Sequence, residues 1–149
     1  MNGVNKTLYI PLYGKAYVTR KGVILRDEKA LEIWESEGFP LGGKSRSKWL
    51  AYYMGMRAAV YDRWLIREMA ADPETVVLHI GCGLDSRVKR LNGMHREWYD
   101  VDFADVIRER KRHFAEDGGY RMLAGDVRER EWLSSIAPGR RAIVVMEGV

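Results

Sequence analysis

The sequence predicts an α/β protein built on a parallel sheet, because short apolar strands alternate with helical segments along its second half. Four apolar runs have the length and composition of buried strands, and they cover residues 76–80, 97–101, 120–124 and 142–146. Helical patterns separate these runs, at residues 86–91, 105–114 and 129–135. Strands that alternate with helices pair in parallel through right-handed crossovers. We expect the strand order 3-2-1-4, in a sheet that is incomplete.

The first part of the chain carries the signals of one short helix. Residues 1–26 contain several tyrosines and glycines, and they favour short extended or irregular segments. Asp27 has the chemistry of a helix N-cap, apolar residues recur at helical spacing over 28–37, and Gly38 supplies a stop. The sequence therefore predicts a helix between Asp27 and Gly38.

A long helix is predicted next, with Ser45 or Ser47 as its N-cap and its end near residue 71, before Asp72 and Pro73. Its large apolar side chains recur every three or four residues, which predicts that they form one buried face. These residues are Trp49, Tyr53, Met56, Val60, Trp64 and Met69. We expect residues 1–74 to form an N-terminal helical extension, or cap, and 75–149 to form the sheet domain.

Composition narrows the class of protein. The 149 residues are 46% hydrophobic and 31% charged, which is typical of a soluble globular domain, and no apolar run reaches the length of a membrane span. The single cysteine, Cys82, excludes an internal disulfide and favours a cytoplasmic location. The net charge of +4 comes from interleaved charges of both signs. We interpret the densest basic patch, residues 108–112, as a solvated helix face and expect no nucleic-acid partner.

The last predicted strand, residues 142–146, is apolar at every position. Such strands are usually covered on both faces and lie inside a sheet. With nothing after Val149, this strand would be an exposed edge or would need a partner chain. We therefore expect the chain to be the N-terminal part of a longer protein, or a half-domain that self-associates through this strand.

Two features predict a nucleotide-like ligand. The first strand opens into the turn Gly81-Cys82-Gly83, and the second strand ends on an acid, Asp102. In a Rossmann-type sheet, such glycines let the backbone approach a cofactor while the acid reaches its ribose. Ser86 stands where a dinucleotide fingerprint has its third small residue. The pattern therefore favours a methyltransferase, while a dinucleotide enzyme and an unrelated strand–turn–helix unit remain open.

Four motifs, in order, resemble those of the leucine carboxyl methyltransferase family, and most closely its bacterial branch similar to the tetracenomycin polyketide O-methyltransferases. The motifs are Gly-Cys-Gly-Leu-Asp-Ser-Arg at 81–87, Trp-Tyr-Asp-Val-Asp-Phe at 98–103, Asp-Val-Arg at 126–128 and Met-Glu-Gly-Val at 146–149. The segments at 13–17 and 52–57 also resemble that branch. The chain departs from the usual pattern at His79 and Ala104. The resemblance implies that residues 75–149 are the N-terminal half of a class I methyltransferase domain.

The resemblance implies S-adenosyl-L-methionine as the cofactor. Gly81 and Gly83 would face its methionine and ribose parts, and Asp102 would bind both ribose hydroxyls. Asp126 would accept from the adenine amino group, beside the backbone of Val127. From the residues alone, capping of the next helix remains an alternative for Asp102, and an Asx-turn remains an alternative for Asp126.

Three further residues complete the implied cofactor site. Lys15 and Arg57 would bind the cofactor carboxylate, and Glu147 would approach its amino group. From the sequence alone, a solvated helix cation is the expected state of Arg57, and an ordinary polar strand end remains an alternative for Glu147. The sequence assigns no catalytic residue, and it contains no metal-ligand spacing.

The function predicted for the chain is methyl transfer to a carboxylate or hydroxyl of a small molecule such as a polyketide, by a fragment of an O-methyltransferase. The alternatives are a non-catalytic remnant that binds the cofactor, a half-domain that depends on a partner, and, less favoured, an NAD-dependent enzyme.

Overall fold

The structure is a computed structural model that describes residues 4–38, 41–94 and 97–149. The described residues form two compact units. The first contains residues of Met1–Arg63 together with Leu84–Arg90, and the second contains residues of Trp64–Gly83 and Leu91–Val149. The domain boundary expected between residues 74 and 75 stays a prediction.

The first helix, α1, spans Val4–Lys21, so the irregular segments predicted for residues 1–26 are wrong over most of that range. Its buried side chains recur at helical spacing, at Tyr9, Leu12, Tyr13 and Ala16. Pro11 and Gly14 are residues that often interrupt helices, yet both lie inside this one. Gly14 is needed for packing, because a Cβ atom there would lie 2.7 Å from the Cβ atom of Met54.

The second helix, α2, spans Glu28–Glu37 and confirms both predicted ends. Asp27 caps it, because its Oδ1 accepts a hydrogen bond of 2.9 Å from the backbone N–H of Ala30. Gly38 ends the helix in the left-handed conformation, with φ of +59°. A tilted ring contact between Tyr13 and Trp34, with centroids 4.9 Å apart, packs α2 against α1.

The long helix, α3, spans Lys48–Ala71 and begins directly after Ser47, following a 3₁₀ turn at Gly43–Arg46. Its buried face differs from the predicted one. Met69 is buried and Trp64 half-buried as expected, but four of the predicted core residues are 52–70% exposed: Trp49, Tyr53, Met56 and Val60. The face that is buried in the first unit carries small residues instead, namely Ala51, Gly55 and Ala58.

Close approach of α1 explains this choice of face. A Cβ atom on Gly55 would lie 3.0 Å from Cγ2 of Val18, which is tighter than ordinary van der Waals contact. Small side chains therefore set the distance between the two helices, and the bulky apolar residues of α3 point elsewhere. The spacing of apolar residues predicted the helix correctly, but it did not predict which face of α3 packs against α1.

The second unit is built on a four-stranded parallel sheet in the order β3-β2-β1-β4, which confirms the predicted fold class. Its strands are β1 (Val76–Ile80), β2 (Glu97–Asp102), β3 (Tyr120–Ala124) and β4 (Ala142–Met146). The connections contain α4 (Arg87–Arg90, which belongs to the first unit), α5 (Ala104–Arg110) and a 3₁₀ turn (Glu131–Ser135). The parallel order places the carboxyl ends of all four strands at one edge.

The edge strand β4 alternates between buried and exposed positions. Ile143 and Val145 are buried, whereas Val144 and Met146 are nearly half exposed. The inner strand β1 is buried at all five positions, as its apolar sequence predicts. Self-association through β4 stays a prediction.

Within the three described stretches, no helix combines the length and hydropathy needed to cross a membrane. The same residues contain no cluster of three or more His, Cys, Asp or Glu side chains that could hold a metal ion.

We expect Gly14→Ala to destabilise the protein although alanine is the better helix former by about 1 kcal/mol. The added Cβ would meet Met54 Cβ at 2.7 Å and the Ala51 carbonyl oxygen at 3.3 Å, and neither atom moves with a side-chain rotation. Overpacking of this kind costs roughly 1–3 kcal/mol. Urea titration measures the change. Gly42→Ala is the control, because φ there is −145° and a Cβ meets no atom within 4 Å; equal stability of the two variants would contradict the packing argument.

Candidate functional site

The glycine turn after β1 adopts a backbone that only glycine takes without strain. Gly81 has φ of +65° and Gly83 has φ of +51°. The N–H of Gly81 donates to the carbonyl of Val101 over 2.8 Å, so the turn begins while the chain is still paired with β2. The turn is thus fixed at the carboxyl edge of the sheet.

Asp102 meets this turn directly. The N–H of Gly83 donates to Oδ2 of Asp102 over 2.8 Å, and the N–H of Phe103 donates to Oδ1 over 2.8 Å. Each carboxylate oxygen therefore accepts one backbone hydrogen bond and keeps a further lone pair for a ligand. Asp102 is half-buried, and no side-chain cap joins it to α5, so the capping alternative does not describe it.

The residues around Asp126 lie at the same edge. The N–H of Gly125 donates to the carbonyl of Asp102 over 2.9 Å. Oδ1 of Asp126 accepts from the backbone N–H and from Nε of Arg128, both over 2.9 Å. Hydrogen bonds from Arg128 lower the pKa of Asp126 to about 2. The Asx-turn that the sequence left open is present, Val127 is exposed, and the adenine role of both residues stays a prediction.

Glu147 follows β4 beside the glycine turn. Ile80 pairs with Met146 in the sheet, so the next residues on the two strands are Gly81 and Glu147. Val149 lies so close that a Cβ on Gly81 would sit 2.3 Å from its Cγ2. The segment at 147–149 is therefore adjacent to the turn, and the role of Glu147 toward the cofactor amino group stays a prediction.

Lys15 and Arg57 lie in the first unit, on α1 and α3. Lys15 is buried, and its Nζ lies 3.6 Å from Oδ1 of Asp85, which follows the glycine turn in sequence. The Arg57 guanidinium lies over the ring of Tyr53, 5.8 Å from its centroid. Burial makes Lys15 unlike an ordinary surface lysine, and its role toward a carboxylate stays a prediction.

An ionic cluster that sequence reasoning did not find surrounds Asp85. Arg90 donates to three carboxylates, with distances of 2.6 Å to Asp27, 2.7 Å to Asp62 and 2.8 Å to Asp85. Arg87 donates to Asp62 over 2.8 Å. Although burial opposes its charge, these carboxylates raise the pKa of Arg90 well above its ordinary value. Of the residues in this cluster, the sequence analysis singled out Asp27 as a helix N-cap, and that chemistry did not predict its contact with Arg90.

A second buried cluster lies beneath the glycine turn, around Asp100. Its Oδ1 lies 2.9 Å from Nδ1 of His79 and accepts from Nε1 of Trp98 over 3.0 Å, while its Oδ2 accepts from Arg110 and from the hydroxyl of Tyr120. Arg110 has no exposed surface, so its interpretation as part of a solvated face at 108–112 is wrong. It lies on the side of α5 that carries Val106 and Ile107, where the partner Asp100 compensates its charge.

This cluster also contacts the turn. Nη1 of Arg110 donates to the carbonyl of Gly83 over 3.0 Å. Burial alone would raise the pKa of Asp100, but Arg110, with help from His79 and Tyr120, outweighs burial and lowers the pKa to about 2. Burial and the charge of Asp100 raise the pKa of Tyr120, so its hydroxyl stays protonated.

Comparison with known proteins identifies the family. The model for leucine carboxyl methyltransferases matches residues 12–149. The chain belongs to the leucine carboxyl methyltransferase family. The tetracenomycin polyketide synthesis O-methyltransferase TcmP of Streptomyces glaucescens is 35% identical over the whole chain, and the S-adenosyl-L-methionine-dependent methyltransferase dpfgK of Gibberella zeae is 26% identical. The match covers 100% of this chain but 56% of each relative, so the chain spans about half the length of these curated relatives.

The family and both relatives imply S-adenosyl-L-methionine as the cofactor. Two features of the site fit this group. The glycine turn exposes backbone at the strand edge, and Asp102 keeps acceptor capacity on both oxygens for two hydroxyls.

We expect the stability of the protein to fall in acid through Asp100. Its pKa is lower in the folded state than the ordinary 3.8, so its contribution is complete above about pH 5 and is lost as the pH falls toward 2. A difference of nearly two pH units corresponds to about 2 kcal/mol in the free energy of unfolding. Urea titrations between pH 7 and pH 3 measure roughly the first half of this loss, and the stability difference from Asp100→Asn should shrink over the same range. A difference that is constant from pH 7 to pH 3 would exclude Asp100 as its source.

Proposed function

We propose that this chain supplies the cofactor-binding part of an S-adenosyl-L-methionine-dependent O-methyltransferase, which methylates a carboxylate or hydroxyl of a small molecule such as a polyketide. The observation that carries the proposal is the 2.8 Å hydrogen bond between Gly83 and Asp102, because it joins the two predicted halves of the cofactor site. The relative from Streptomyces glaucescens, an O-methyltransferase of polyketide synthesis, supports the class of acceptor.

Each residue has a defined part in this proposal. Asp102 binds the ribose hydroxyls through lone pairs that its two backbone hydrogen bonds leave available. Lys15 and Arg57 bind the cofactor carboxylate, and Arg57 can do so with two parallel N–H donors. Asp126 exchanges its ion pair with Arg128 for a hydrogen bond from the adenine amino group. Because an ion pair at the surface contributes little free energy, breaking it costs little.

The pairing of β1 with β4 supports the placement of the remaining groups. The turn at Gly81 and the adjacent Glu147 stand together at the carboxyl ends of β1 and β4, and Glu147 accepts from the cofactor amino group in this proposal. When bound, the cofactor would supply a methyl group on a positively charged sulfur: the acceptor oxygen would bond to the methyl carbon, the carbon–sulfur bond would break, and the neutral thioether S-adenosylhomocysteine would leave. An acceptor carboxylate needs no general base, whereas an acceptor hydroxyl needs one.

We expect S-adenosylhomocysteine to bind the chain and to raise its melting temperature, whereas NAD does neither. Asp102→Ala removes hydrogen bonds to a charged acceptor, and the loss of one alone, worth about 1.5–3 kcal/mol, should raise the calorimetric Kd by at least roughly 10- to 100-fold. Asp105→Ala is the matched control, because it removes an exposed carboxylate three residues further along. Stabilisation by NAD and not by S-adenosylhomocysteine would replace the methyltransferase with a dinucleotide enzyme.

We expect the acceptor to carry an oxygen nucleophile. Incubation of the chain with cofactor that bears a radiolabelled methyl group, together with panels of aromatic hydroxyl and carboxyl compounds, measures transfer directly. Base-labile label indicates a methyl ester, and base-stable label indicates a methyl ether. Binding of cofactor without label on any member of either panel would favour the non-catalytic, cofactor-binding alternative.

A further inference from the structure

Arg110 is a buried cation whose three kinds of nitrogen contact three different parts of the second unit. Nη2 donates to Asp100 on β2, Nε donates to the hydroxyl of Tyr120 on β3 over 3.0 Å, and Nη1 donates to the Gly83 carbonyl over 3.0 Å. Its guanidinium also stacks on the ring of Phe114, 4.1 Å from the centroid. These contacts together fix both the position and the plane of the guanidinium.

Stability alone does not account for this arrangement. A buried ion pair is often no more stabilising than a well-packed apolar pair of the same size, because each charge loses its hydration. An apolar residue at position 110, however, could not hold the carbonyl of Gly83. The Gly83 contact is therefore the part of the cluster that an apolar core would lack.

We propose that Arg110 is a positioning residue for cofactor binding, acting through the backbone of Gly83. This inference rests on the proposed function. The peptide group on one side of Gly83 is held by Arg110 at the carbonyl, and the group on the other side is held by Asp102 at the N–H. Glycine in the left-handed region has wide conformational freedom, and two fixed neighbours remove it before the ligand arrives.

The position of Gly83 also sets the position of the ribose-binding carboxylate. Asp102 receives its hydrogen bond from Gly83, so a displaced turn leaves Oδ2 of Asp102 without that partner. Arg110 itself binds no ligand in this scheme. Its loss reduces the fraction of molecules whose turn is ready to bind, and the apparent Kd rises by the same factor.

Arg110→Lys tests this role, because lysine keeps the charge opposite Asp100 but cannot reach three separated acceptors with one ammonium. We expect the Kd for S-adenosylhomocysteine, measured well below the melting temperature, to rise about tenfold if the competent turn falls to a tenth of the population. Val106→Ala is the control, because it truncates a buried side chain of the same helix and should lower the melting temperature, while both side-chain hydrogen bonds to Gly83 come from other residues, Asp102 and Arg110. Its Kd should stay within about twofold of wild type, as expected for a site that is not altered.

The outcomes separate the two proposals. If wild type binds and the Kd of Arg110→Lys rises no more than that of Val106→Ala, Arg110 is structural and this inference is overturned while the proposed function stands. If wild type does not bind S-adenosylhomocysteine, the proposed function fails and this inference fails with it.

A measurement on the wild-type protein covers the case in which Arg110→Lys does not fold. In protein labelled with ¹⁵N-arginine, the Nε–H signal of Arg110 is assigned through its proximity to the Phe114 ring. We expect S-adenosylhomocysteine to shift this signal, because a ligand placed against the Gly83 backbone changes the polarity of the carbonyl that accepts from the same guanidinium. An unchanged Arg110 signal at saturating ligand would overturn the inference.

Discussion

The buried contact between Asp100 and Arg110 is the interaction on which the second unit depends. A carboxylate has about four acceptor positions, and Asp100 uses four partners from β1, β2, β3 and α5. Because every buried charge must be compensated, these elements can pack only in the arrangement that brings the four partners together. His79, for example, is the register partner of Asp100, so a shift of β1 against β2 would break their contact.

Two aspartates on β2, Asp100 and Asp102, differ in burial and in their hydrogen-bond partners. Asp100 and Asp102 are two positions apart, so their side chains leave β2 on the same face, but Asp100 is fully buried and Asp102 lies at the open edge. The strongly lowered pKa belongs to Asp100, which has all its acceptor positions filled. A perturbed pKa here marks a structural support, and the neighbour with spare lone pairs is the better candidate for ligand binding.

The sequence predicted the strands well because their apolar runs are buried, and β1 is covered at every position. It also predicted the contact between Gly83 and Asp102, because parallel strands end at a common edge. The sequence-based prediction of burial failed where burial depends on a contacting residue that lies outside the local pattern. The buried face of α3 depends on how closely α1 approaches at Gly55, and the burial of Arg110 depends on a carboxylate ten residues away. No local pattern contains either fact.

Carboxylates that are distant in sequence explain why the segment Leu84–Arg90 belongs to the first unit. Arg90 donates hydrogen bonds to Asp27, Asp62 and Asp85, which come from three separate parts of the chain. Short contacts of 2.6–2.8 Å bind the arginines tightly, since a guanidinium offers several donors in a fixed plane.

Lys15 is held differently from these arginines. Its ammonium lies 3.6 Å from Asp85, beyond hydrogen-bond distance, although the side chain is buried. A lysine ammonium carries three donors, and a buried one gains most from a second anion within reach. Among the residues that the structure describes, the cluster therefore fixes Asp85 through Arg90 and leaves the Lys15 ammonium with donor capacity, which is the property that a residue binding a ligand carboxylate requires.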